Sequence, residues 1–337
     1  MSNSLIRITK DNAQSLLGNL RPLSRLLAEE ALDLKYRVDV YEDLNIFRVS
    51  CGRQSHFIRG AITSLNNYVG ADIADHKFYT NSILRDAGIP VPRSVRIQKK
   101  SFAKGDWSVS GLRAPLVVKP TYGTLKGLGV VTNISGQRDL MRYLKKGFQT
   151  YSSILVEEFH QDLNDYRVLV LDNKVIGVLH RIPAYVVGDG VSNIGALIRE
   201  KNEKRKQVHE IKLGPISIDA ELKNKLKSQR LNMRSIPSAD RRVMLKNVCN
   251  FGAGGEVHDV TDKISKANVE LALRICKVMN LRLAGLDFLC TDISKSVRHT
   301  DGVVLELNQH PDFAMHHFPQ EGKARNVSRQ IVRAMFK

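Results

Sequence analysis

Apolar positions along the chain alternate between two periods, and the switches between them outline its elements. Leu23, Leu26, Leu27, Ala31 and Leu34 recur at helical spacing and predict a helix over 22–34, with strands at 36–41 and 46–49 after it. A second helix is predicted from Asp75 to the stop signal Gly88, beyond which Ile89-Pro90-Val91-Pro92 must run extended. Short apolar runs follow at 116–120 and 153–158, and the segment 165–181 reads as a hairpin turned at Asp172-Asn173. Helices at 194–204 and 266–280, the latter amphipathic through Val269, Leu271, Ala272, Ile275, Cys276 and Met279, lead to two last apolar runs at 283–289 and 303–307.

Those last runs carry the first chemical signal. Paired as an antiparallel hairpin folded near Ser296-Val297, they set Asp287 across from Glu306. Alternation then sends Val303, Leu305 and Leu307 into a core and leaves Val304, Glu306 and Asn308 together on the other face. Asp287, Glu306 and Asn308 form a set of hard oxygen donors, suited to Mg²⁺ shared with substrate phosphates. Alternating polar residues are equally the normal look of a half-exposed edge hairpin, and spacing alone does not separate the two readings.

Upstream, Lys119 ends an apolar strand and is followed by Gly123, Gly127 and Gly129, whose backbone amides are free to close over phosphates. This loop is neither a Walker motif nor a dinucleotide fingerprint, and an ordinary hairpin turn explains it as well. Lys77 falls in the first turn of a predicted helix, a poor place for a cation unless an anion sits nearby. Asn250, Gly252, Gly254 and Gly255 belong to a second glycine-rich stretch.

Composition narrows the class. With 337 residues, 42% hydrophobic and 26% charged, the chain has the makeup of a folded protein with more than one module. No apolar run reaches 18 residues and the first residues lack an apolar signal core, so a cytoplasmic location without membrane contact is expected. Cys51, Cys249, Cys276 and Cys290 show neither CxxC spacing nor disulfide density. The formal charge of +18 is the unusual feature, and 199–246 alone hold 14 Lys or Arg against 6 Asp or Glu. Such a surface attracts polyanions, but no RNA- or DNA-binding signature accompanies it, so nucleic acid is not the expected partner.

Taken as an ordered set, these features resemble the ATP-grasp superfamily: a Lys at a helix start, a Lys before a glycine loop, a strand leaving through Glu157-Glu158, and an Asp with Glu-x-Asn near the C-terminus. Arg181-Ile182-Pro183-Ala184-Tyr185, Asn250 with Gly254-Gly255, Asp259-Val260-Thr261-Asp262, Met315-His316 and Arg325-Asn326-Val327 look like the ATP-grasp module of cyanophycin synthetases and of bifunctional glutathione synthetases. Those enzymes are larger, and no second catalytic module is expected within this length.

The resemblance implies an α+β ATP-grasp fold, with ATP held between two α+β lobes. It divides the chain into an N-terminal α/β segment at 1–90, a small lid lobe at 91–180 and a catalytic lobe at 181–337. It also implies an ADP-forming ligase that makes an amide or peptide bond through an acyl phosphate. Lys77 and Lys119 would hold phosphates beneath Gly123, Gly127 and Gly129, while Glu157, Glu158 and His160 would meet adenine and Asp165 the ribose. Asp287, Glu306 and Asn308 would bind two Mg²⁺ ions, for which Mn²⁺ substitutes, and Arg181, Lys246 and Asn250 would lie by the γ-phosphate and acyl phosphate. The expected partners are amino-acid or peptide substrates, acidic ones in view of the charge, and a homodimer follows from the resemblance alone. Gln309, His310 and Asp312 stand where relatives carry small residues and a glycine, so a different acceptor pocket is expected. The competing reading is a basic nucleotide-binding protein that contacts RNA or another polyanion without ligase chemistry.

Overall fold

The computed structural model describes residues 5–9, 11–122, 129–207, 213–247, 249 and 251–337; the expectations for Gly123, Gly127 and Asn250 lie outside them. The chain opens with β1 (Ile6–Arg7), α1 (Ala13–Asn19), α2 (Pro22–Asp33), β2 (Arg37–Tyr41), β3 (Ile46–Cys51) and β4 (Gln54–Ile58), the strands forming an antiparallel meander in chain order. Pro22 starts α2 without sacrificing a helical donor, and Leu27, Ala28 and Ala31 bury its inner face. Two short helices follow, α3 (Tyr68–Ala74), capped by the Asn67 side chain, and α4 (Lys77–Asp86). As expected, α4 ends just before Gly88, which adopts φ +67°.

A second sheet is built from β5 (Ser94–Gln98), then β6 (Leu116–Pro120), β7 (Val131–Ile134) and β8 (Ser153–Glu158), in the order β5-β8-β6-β7. Helix α5 (Lys99–Lys104) and the strongly amphipathic α6 (Gln137–Thr150) accompany it. Leu140, Leu144 and Phe148 of α6 close its core over Ile97, Val118, Ile154 and Val156.

The third sheet holds the centre. Strands β9 (Asn164–Leu171) and β10 (Lys174–Ile182) form the expected hairpin, with Asp172 at φ +52° in its turn. The chain then builds β11 (Tyr185–Val187), α7 (Ile194–Lys206), α8 (Ala220–Ser228) and β12 (Arg242–Met244) around a core of their own, including Val186, Ile194, Ile198, Leu222, Leu226 and Val243. It returns through β13 (Glu256–Asp259), α9 (Lys266–Val278), β14 (Leu283–Cys290) and β15 (Val303–Asn308), and ends on α10 (Val327–Met335). The strand order is β13-β10-β9-β14-β15, every pair antiparallel. The β9–β10 hairpin, grouped by sequence with residues 91–180, is thus hydrogen-bonded into the sheet that carries Asp287 and Glu306.

This sheet is covered on both faces, as its nearly continuous apolar strands demand. Tyr166, Val168, Val170, Leu286 and Phe288 pack with α9, while Leu169, Leu171 and Leu283 pack with α2, the first sheet and α10. The expected pairing of Asp287 with Glu306 is observed. Beyond it Phe288 pairs with Val304, so Leu305 is an extra, bulged residue. The bulge reverses the alternation: Val304 is buried at 1% exposure and Leu305 only half-buried, opposite to the expected assignment of these two. Asn66 fastens the open end of this hairpin, accepting from Leu283 N at 2.9 Å and donating to the carbonyls of Leu283 and Gln309 at 2.7 and 2.9 Å. Among the described residues no helix is long and apolar enough to cross a membrane.

His316 packs beneath the sheet at 1% exposure, against Gly177, where a Cβ would lie 2.4 Å from its Nδ1. Burial, with repulsion from Arg167, pushes its pKa down to about 3, and burial with repulsion from His258 and Arg242 takes His180 to about 4. A folded-state value below the ordinary 6.5 means that the unfolded chain binds the extra proton first. Stability is therefore complete above pH 6.5 and falls as pH drops toward the folded values, by about 1.4 kcal/mol per unit for a fully buried group. Thermal unfolding between pH 7 and pH 4 should show this decline, flattened in His316→Leu; an unchanged slope in that variant would assign the acid sensitivity elsewhere.

Candidate active site

One face of β9 reads Asp165, Arg167, Leu169, Leu171, charged at one end and apolar at the other. The apolar half packs under the N-terminal unit, and the charged half lies beyond that contact, still largely buried. Register sets Arg181 of β10 opposite Asp165, and Asp287 of β14 opposite Arg167. Arg167 Nε donates to Asp287 Oδ1 at 2.5 Å, and Arg181 Nη2 donates to Asp287 Oδ2 at 2.8 Å and to Asp165 at 2.6 and 2.8 Å. Burial disfavours a charged Asp287, but Arg167 and Arg181 outweigh it and hold the carboxyl below its ordinary range. Asp165, which has only Arg181 as a strong partner and feels Asp287 beside it, is raised by burial.

Helix α4 brings in the lysines. Lys77, at its first position, reaches Glu306 Oε1 with Nζ at 2.5 Å, and its backbone N–H donates to Thr121 O at 3.1 Å. One turn later Asn81 lies on the same helix face. Its Nδ2 donates to Glu157 Oε1 at 3.0 Å, and Glu157 Oε2 lies 2.6 Å from Lys119 Nζ. Lys119 and Glu157 are diagonal neighbours on β6 and β8, with side chains 8% and 1% exposed. Eight charged groups and one amide thus form a line from the second sheet, through α4, to the third.

The other predicted residues occupy different places. Glu157 faces inward to its lysine, while Glu158 accepts from Arg113 N at 2.9 Å and lies 3.8 Å from Arg93. His160 Nε2 is buried without a partner among the described residues, and burial lowers the pKa of this ring against the pull of Glu158 and Glu157. Gly129 adopts φ +74°, and a Cβ there would meet Tyr151 Oη at 2.9 Å and Pro120 Cγ at 3.0 Å, so the glycine is required where the loop rejoins β7. Lys246, 4% exposed, pairs with Asp219 at 2.5 Å and Glu221 at 3.5 Å around the N-terminus of α8; among the described residues no bond joins it to Arg181. Burial pushes the thiols of Cys249 and Cys276 up to about 12 and that of Cys290 to about 11, which removes them as nucleophiles.

Among the described residues no three His, Cys, Asp or Glu side chains gather as a ready metal cage. The donor set nevertheless fits a dication that brings phosphate oxygens of its own. Two carboxylates face each other across adjacent strands, each now paired with protein cations, and Asn308 beside them has a buried Nδ2 with no partner among the described residues. Asn81 and Arg167 were not singled out from sequence, although both signals were present. Asn81 follows Lys77 by four residues on a helix, and Arg167 follows Asp165 by two on a strand.

Residues 74–207 match the family model for the RimK-like ATP-grasp domain. The chain carries a RimK-like ATP-grasp domain. Over 99% of its length this ATP-grasp chain is 33% identical to cyanophycin synthetase from Synechocystis sp., and over 97% it is 30% identical to the glutathione biosynthesis bifunctional protein GshAB of Clostridium perfringens. It covers 39% and 43% of those proteins, so it spans about two-fifths of their length. The crystal structure of a bifunctional glutathione synthetase from Pasteurella multocida superposes with a TM-score of 0.71 at 26% identity, covering 95% of this chain and 44% of that one. The ATP-grasp fold expected from sequence is the fold observed.

Truncating one member of a buried ion pair strands the other. Glu157→Leu should lower stability by about 3–5 kcal/mol, and adding Lys119→Met should recover at least half of that loss. Urea unfolding of the two single variants and the double variant measures this; strictly additive losses would mean that the pair is not coupled.

Proposed function

We propose that the chain forms the nucleotide-binding and catalytic part of an ADP-forming ligase that joins a carboxylate to an amine on amino-acid or peptide substrates. The observation that carries this reading is the line of paired charges running between two sheets, most of whose members lie in the stretch 74–207 that matches the ATP-grasp family model. In this assignment the sheet of β5 to β8 covers the nucleotide and the sheet of β9, β10 and β13 to β15 performs the chemistry.

Lys77 and Lys119 would exchange Glu306 and Glu157 for nucleotide phosphates, beneath the loop of Gly123, Gly127 and Gly129. The segment of Glu157, Glu158 and His160 would border adenine, with Asp165 beside the ribose. Asp287, Glu306 and Asn308 would hold Mg²⁺, which supplies charge neutralisation for the transferring phosphoryl group. Arg181, held by two carboxylates within one reach, can leave Asp287 for an acyl phosphate and keep Asp165. Lys246 and Asn250 would complete the acyl-phosphate side. A substrate carboxylate needs no activated Ser or Cys to attack phosphorus, which accords with the unreactive thiols here. Arg199 to Lys246, with 14 basic against 6 acidic residues, favours an acidic amino acid or acidic peptide as the substrate steered in.

Purified protein with Mg²⁺-ATP should release ADP in a substrate-dependent way across a panel of the common amino acids and Asp- or Glu-containing dipeptides, with the product identified by mass. Glu306→Ala should abolish that release. Acidic members should outperform neutral ones, by a margin that shrinks as salt is raised. Equal rates for neutral members would reject the acidic substrate, and no release with any member would favour the polyanion-binding reading.

A further inference from the structure

The residues just beyond the Glu306–Asn308 strand end form a second polar relay. Gln309 is 2% exposed, and its Nε2 lies 3.1 Å from both Oδ1 and Oδ2 of Asp75 and 2.6 Å from Nδ1 of His310. The Asn66 side chain fixes the same residue by its carbonyl at 2.9 Å. Asp75 settles which way the Gln309 amide faces, because turned over it would present its oxygen to a carboxylate. The amide oxygen is instead left buried without a partner among the described residues, a loss the Asp75 contact has to offset.

With an NH₂ group directed at Nδ1, His310 has to accept there, so its proton sits on Nε2. A second proton on Nδ1 would oppose donor to donor. The imidazole is exposed, and among the described residues its Nε2 makes no hydrogen bond. The relay also has a place. Asp75 precedes Lys77 by two residues, Gln309 follows Glu306 by three, and Lys77 and Glu306 are in contact at 2.5 Å.

We infer that Asp75 and Gln309 fix His310 as an Nε2–H donor, and that this donor binds a carboxylate or carbonyl oxygen of the amino-acid or peptide substrate beside the phosphate site. The substrate contact rests on the ligase reading above; the tautomer does not. His310 is then a specificity residue, and Asp75 and Gln309 position it. An acceptor on the substrate is required, so a compound lacking oxygen at that position binds weakly.

Two measurements test this separately. Long-range ¹H–¹⁵N spectra of histidine-labelled protein, with His310→Gln to assign the signal, should show the Nε2–H tautomer at neutral pH, and Gln309→Leu should lose that preference. A Nδ1–H or doubly protonated ring in the unaltered protein would overturn the lock. For whichever panel member releases ADP, His310→Leu should raise its KM at least tenfold, with kcat and the KM for ATP changed less than threefold. His310→Gln, which keeps an N–H donor at that reach, should restore KM to within threefold. An unchanged KM in His310→Leu would overturn the substrate contact. Should no panel member release ADP, the ligase reading fails and the labelled-histidine result still stands by itself.

Discussion

The site depends on one buried carboxylate with two guanidinium partners. Asp287 lies in a strand that is covered on both faces, where an isolated charge is untenable. Arg167 and Arg181 make it tenable, Arg167 from the adjacent strand β9 and Arg181 from β10 beyond it, so the pairing ties three strands of the sheet together. Exchanging such a cluster for apolar residues of equal volume would be roughly neutral or stabilising. Its presence is therefore better explained by chemistry than by folding. A set of cations with more than one acceptor in reach can hand a charge to an incoming anion without ever being left alone in a dry interior.

Helix α4 makes the same device span two sheets. Lys77 and Asn81 are four residues apart, yet one touches the Glu306 strand and the other the Glu157 strand. The helix is short, and its first backbone N–H is taken by Thr121 O, so its position is set by both sheets at once. A rotation of one sheet against the other would strain these contacts. The lysine that looked badly placed at a helix start is satisfied by a carboxylate from a different sheet.

Much of this was legible in advance. The alternation of 303–307, the polar loop before it and the length of the preceding run were enough to place Asp287 across from Glu306. The bulge at Leu305 was not legible, because one extra residue reverses a face without altering composition. Likewise the chain from Asp165 to Arg181 read as a hairpin, but nothing local said which sheet it would join; that is decided by β14, more than a hundred residues later. Glu157 was placed by resemblance near adenine largely through its backbone, which said nothing of its carboxylate; the structure gives that carboxylate a buried lysine and an amide. Side-chain direction at a strand end follows from packing across the sheet, which the sequence carries only indirectly.

The excursion between β10 and β13 leaves the central sheet at Ile182 and returns at Glu256, and these two residues are cross-strand partners. Its ends are held together by the ladder whatever lies between them, and Arg205 ties α7 to the carbonyls of Gly214, Phe251 and Gly255, the last two just before the chain re-enters the sheet. Loop-closure entropy then rises only slowly with its length. Such an attachment behaves as a socket. Inserts of other sizes can be accommodated there without breaking the ladder, provided that the base of the excursion, where Arg181 immediately precedes the exit at Ile182, keeps its geometry.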